Sequence, residues 1–101
     1  MPVTFTHTTT KPEGGQFYGQ ISEEAKAEAA VIWQWHTTFP GFISQDLDKS
    51  DPNTRVFTIV FDTVENYANW HGQRLSHPLA AKRSQWVKDN GLTYVSTETI
   101  T

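Results

Sequence analysis

Residues 55–61 read RVFTIVF, and their alternation decides the fold. A β-strand turns successive side chains to opposite faces. Phe57, Ile59 and Phe61 therefore share one face of this strand, and Val56 and Val60 share the other. A sheet with helices on one side needs only one apolar face. This strand has two, so both need a cover. Helices of the same chain can supply one cover, and a partner subunit is the simplest source of the second.

Upstream of this strand, FISQDLD (42–48) reads as another, joined to it by the turn-forming KSDPNT. Pro40-Gly41 closes a helix whose start is marked by Ser22 as cap and by Glu23 and Glu24 in the first turn. Ala25, Ala29, Ile32 and His36 make one stripe of that helix, with Trp33 beside it. Before it, KPEGGQFYGQ (11–20) carries Pro12, Gly14, Gly15 and Gly19 and reads as a loop. VTFTHTT (3–9) alternates Val3, Phe5 and His7 with threonines, which predicts a first strand.

Downstream, a second helix is expected from Asp62, with Glu65 at the spacing of a capping box. Pro78 interrupts it, because proline lacks an amide hydrogen and disfavours helical geometry at His77. Pro78 can also open a new turn, and Leu79, Arg83, Trp86 and Val87 continue a 3.6-residue period. Asn90-Gly91 ends it, and LTYVSTET (92–99) reads as the last strand. The order β-α-β-β-α-β predicts an α+β, ferredoxin-like domain spanning 1–101, with a four-stranded antiparallel sheet and two helices on one face.

At 101 residues and 37% hydrophobic content, with a mean hydropathy of -0.53, the core must be thin and built from large side chains. Four Trp, six Phe and three Tyr supply them. The net charge of -3 and the lack of a basic run argue against a nucleic-acid partner. RVFTIVF also lacks the glycines of an RNA-recognition motif, having Val56 and Thr58 in their place. With no cysteine, disulfides and thiolate chemistry are excluded. No apolar run approaches the roughly 20 residues that span a bilayer. MPVTFTHTTTK has no charged segment followed by an apolar one, so no signal peptide and a cytoplasmic location are expected.

Three segments in order, FPGFIS (39–44), FTIVFDTVENYANW (57–70) and LSHPLAAKRSQW (75–86), resemble the dimeric α/β-barrel superfamily, most of all its antibiotic-biosynthesis-monooxygenase-like branch. The resemblance covers about residues 24–98. It implies a homodimer whose sheets pack into a barrel, with a pocket in each subunit between sheet and helices. It also implies activities that include cofactor-free oxygenation of polycyclic phenols and quinols. The haem-degrading branch is matched at Trp70. That branch expects a histidine where this chain has Ala80 and an asparagine in the first strand, where none occurs.

Around YANWHGQRLSHP (67–78), Val64, Ala68, His71 and Leu75 fall on one helical stripe, so His71 is expected to face the sheet and line a small cavity. An imidazole titrates near neutrality and can act as a general base; the alternative is a hydrogen-bonded histidine that closes the core. His7 and His36 also lie on apolar stripes and are the assisting candidates. No metal site is expected, since no His-x-His or His-Glu-x-x-His spacing occurs, and no cofactor is expected either. Trp33 and Trp70 could wall a pocket for a flat ligand, with Phe5, Tyr67 and His77 as further ligand-binding candidates. GGQFYG has no phosphate-loop continuation; Tyr18 would be its polar tip if it formed a lid. The expected function is binding of a small apolar or aromatic molecule in a sheet–helix pocket; if the protein is an enzyme, the resemblance implies cofactor-free mono-oxygenation, and the competing reading is a non-catalytic homodimeric structural or interaction module.

Overall fold

The computed structural model describes residues 1–101. Four strands, β1 (Val3–Thr10), β2 (Phe42–Asp48), β3 (Thr54–Phe61) and β4 (Thr93–Ile100), form one antiparallel sheet in the order β2-β3-β1-β4. Helix α1 (Glu23–His36) joins β1 to β2. The second crossover holds two helices, α2 (Val64–Gln73) and α3 (Pro78–Asp89). The architecture is the α+β ferredoxin-like one expected, with the second helix split at Pro78.

The register explains the core. Phe5 pairs with Ile59, His7 with Phe57 and Val3 with Phe61, so the inner face of β1 and β3 is aromatic and aliphatic. Val3, Phe5, Ile59 and Phe61 are buried against Tyr67 and Trp70 of α2, with Phe39, Phe42 and Phe57 packed around them. On the opposite face Val56 and Val95 lie either side of Thr8, and Val60 lies beside Thr4. No helix of the chain is long and apolar enough to cross a membrane.

Local capping follows the sequence with one shift. Ser22 Oγ accepts from the Ala25 amide at 3.0 Å, as expected. The cap of α2 is Thr63 rather than Asp62: its hydroxyl accepts from the Asn66 amide at 3.1 Å. Asp62 instead accepts from Asn66 Nδ2 at 2.8 Å. Gly41 makes this corner possible, with φ of 80° and a position where any Cβ would strike Asp62 Oδ1 and Asn66 Nδ2.

Helix α2 is rotated from the expected setting. The predicted inward stripe leaves Val64 49% and Leu75 48% exposed, whereas Tyr67 and Trp70 are 6% and 1% exposed. Large aromatic rings bury more apolar surface than Val and Ala can, so they determine which face turns inward. The segment 11–20 also differs from a plain surface loop. Tyr18–Gln20 form a 3-10 turn, Phe17 and Tyr18 are buried, and the Tyr18 hydroxyl donates to Glu28 at 3.0 Å.

Candidate functional site

A cavity of about 540 Å³ lies between the inner face of the sheet and the helices. Such a volume is within the range of small-molecule sites. Phe5, His7 and Phe57 form its floor, Trp33 and His36 of α1 one wall, and Trp70 of α2 another. Phe17 and Tyr18 border it from the loop. The Arg55 guanidinium sits 4.4 Å from the centre of the Phe17 ring, which ties that loop to β3.

A β-bulge equips this site. Between Phe42 and Ser44 the register of β2 shifts, so that Ser44 pairs with Val60 and Gln45 with Ile59. The extra residue turns Gln45 to the inner face. Its Nε2 donates to the Trp33 carbonyl at 2.9 Å, which leaves Oε1 as an acceptor 3.2 Å from His36 Nδ1. His36 Nδ1 must then carry the proton, and Nε2 is the basic nitrogen. Nε2 has no partner in the chain, and it is not among the sealed, unpartnered side-chain atoms, which are Tyr67 Oη and Trp70 Nε1. Burial, reinforced by the charge of Arg83 and opposed by the Gln45 contact, pushes the His36 pKa down to about 4. The imidazole is therefore neutral at physiological pH.

His7 Nδ1 pairs with Ser96 Oγ at 2.7 Å, and its ring lies between those of Phe5 and Tyr94. Burial and then the charges of Arg83 and Arg74 lower its pKa. The cavity thus carries two neutral imidazoles, one from β1 and one from α1.

The other sequence candidates are placed differently. Phe5, Trp33 and Trp70 line the cavity; His71, Tyr67 and His77 do not. His71 stands behind Phe5, its ring edge-on at 5.5 Å and also against Tyr67 and Trp70. The rotation of α2 that buries Tyr67 and Trp70 moves His71 to the margin of the inward stripe. Its ring also makes no hydrogen bond, and only its carbonyl is engaged, accepting from Arg74 at 2.6 Å. Tyr67 packs in the core; burial, and then the charge of Glu98, raises its phenol pKa, but its hydroxyl closes no hydrogen bond within the chain. His77 caps α3, with Nδ1 accepting from the Leu79 amide at 3.1 Å. His7, His36 and His71 do not converge, and no three His, Asp or Glu side chains form a metal-ligating group.

Gln45, Arg83 and Tyr94 are site residues that sequence reading missed. The bulge that turns Gln45 inward has no signature in FISQDLD. Arg83 did have one: like His71, it is a polar residue on an otherwise apolar helical stripe.

No protein-family model matches the sequence, and no curated protein matches it. Solved structures do. SnoaB, a cofactor-independent oxygenase from Streptomyces nogalater, aligns with a TM-score of 0.64 over 99% of this chain and 92% of its own, at 16% identity. Rv0793 from Mycobacterium tuberculosis aligns at 0.67 over 100% and 95%, at 12% identity. A Deinococcus radiodurans protein assigned as an antibiotic biosynthesis monooxygenase aligns at 0.66 over 98% and 91%, at 15% identity. The fold is that of the antibiotic-biosynthesis-monooxygenase-like proteins. At these identities the likeness is one of fold.

Proposed function

We propose that this chain binds a small, flat aromatic molecule in the sheet–helix cavity and oxygenates it without a cofactor. The carrying observation is the aromatic-walled space of about 540 Å³ with His36 held in one tautomer at its edge. A non-catalytic module would have this space filled with side chains. SnoaB, with the same fold, is described as a cofactor-independent oxygenase.

In this reading Trp33 and Trp70 flank the ligand ring and His36 Nε2 accepts a hydrogen bond from the phenol. As the electron-rich ring reduces dioxygen its hydroxyl becomes strongly acidic, and the proton passes to His36 Nε2. One oxygen atom enters the ring, and the other leaves as water with two substrate hydrogens. A phenol becomes a quinone, and the substrate supplies every electron.

The working form is a two-fold homodimer. Val56, Val60 and Val95 stand among threonines on the sheet face opposite the helices, with Val95 68% exposed. A second copy would cover it.

The test is oxygen uptake with 1-naphthol. Consumption matched by quinone formation, slowed about a hundredfold in His36→Gln, is expected for loss of a general base. No uptake above the rate without protein would refute the oxygenase reading.

A further inference from the structure

The cavity has a charge that the chain as a whole does not. The sequence holds eight Lys and Arg against eleven Asp and Glu. Six of those eight cations line the cavity, Lys26, Lys49, Arg55, Arg74, Arg83 and Lys88, and no carboxylate does. The one ion pair in the chain, Lys82–Glu28, lies outside it.

The three arginines are not equivalent. Arg55 is placed over the Phe17 ring, and Arg74 donates to the His71 carbonyl. Arg83 makes no hydrogen bond or ion pair with any part of the chain. It is nevertheless partly buried, and desolvation holds its pKa below the usual arginine value. Its charge reaches both His7 on β1 and His36 on α1. A desolvated guanidinium with no counter-ion is costly unless something else supplies the negative charge.

We propose that the aromatic ligand of this cavity carries a carboxylate and that Arg83 is its counter-ion. This rests on the aromatic-ligand reading above and adds the ligand's charge to it. A guanidinium matches a carboxylate through two parallel hydrogen bonds, and the aromatic walls take the ring. The neighbouring cations add attraction, and no acidic side chain opposes it.

Calorimetric titration with 2-naphthoate and with its neutral counterpart, 2-naphthamide, separates the two claims. The expected result is a naphthoate affinity at least about tenfold above that of the amide, as for a charge-assisted pair in a partly dry site. Arg83→Gln should abolish that preference, and Arg83→Lys should retain part of it. If Arg83→Gln does not fold, the wild-type ratio decides, together with its decline at high salt. Equal binding of acid and amide, or tighter binding of the amide, would overturn the carboxylate and leave the aromatic cavity standing. Binding of neither would overturn both.

Discussion

Gln45 fixes His36: its amide nitrogen is committed to the Trp33 carbonyl, and its oxygen lies 3.2 Å from His36 Nδ1. A side chain turned inward by a bulge thereby selects the tautomer of a helix-borne imidazole. His36 is 5% exposed, and it is the one polar residue among the thirteen that are buried.

The first prediction concerns acid stability. The His36 pKa is about 4 when folded, against 6.5 for an unperturbed histidine. Between these values the unfolded chain binds the extra proton and the folded chain does not, so unfolding is favoured as pH falls. Stability from this group should be complete above pH 6.5 and lost progressively toward pH 4, by about 3 kcal/mol in all. His7 and His71 are shifted in the same direction. Urea unfolding at a series of pH values checks it; the slope should flatten in His36→Gln, and an unchanged midpoint across the window would contradict it.

The Gly41 corner should be intolerant. Gly41→Ala forces an L-residue into a left-handed conformation and drives its Cβ into Asp62 and Asn66. A loss of at least about 2 kcal/mol is expected, measured by thermal or denaturant unfolding. A melting temperature equal to wild type would show that the corner relaxes freely.

Tyr67 presents the opposite case. Its hydroxyl is buried without a partner, so Tyr67→Phe should leave stability unchanged or raise it by up to about 1 kcal/mol. A clear destabilisation would mean that the hydroxyl is bonded in solution, with Glu98 the nearest candidate.

Assembly is tested on the outer face of the sheet. Sedimentation should give twice the 11.5 kDa chain mass. Val60→Lys should shift the protein to the single-chain mass with its far-UV spectrum retained. A monomeric wild type at micromolar concentration would refute the dimer.

The sequence made the fold legible because period-2 alternation in RVFTIVF and the Ser22, Pro40-Gly41 and Asn90-Gly91 punctuation are local signals, and the structure follows them closely. The orientation of α2 was not legible. Val64, Ala68, His71 and Leu75 form a valid helical stripe, but Tyr67 and Trp70 compete for the same core and bury more surface. His71 is polar on an apolar stripe, and so is Arg83 beside Leu79, Trp86 and Val87; of the two it is Arg83 that reaches the cavity. The pairing of His36 with Gln45 depends on a bulge and on contact between separate elements, and no spacing along the chain encodes it.

The central claim is that the space between sheet and helices is a binding site, and calorimetry with 1-naphthol on wild type and Ser84→Trp tests it most directly. Ser84 lines the cavity, and an indole there would occupy the space. Wild type should bind one naphthol per chain, saturably, and Ser84→Trp should retain its fold and bind none. No binding by the wild type, or undiminished binding by a folded Ser84→Trp, would contradict the assignment.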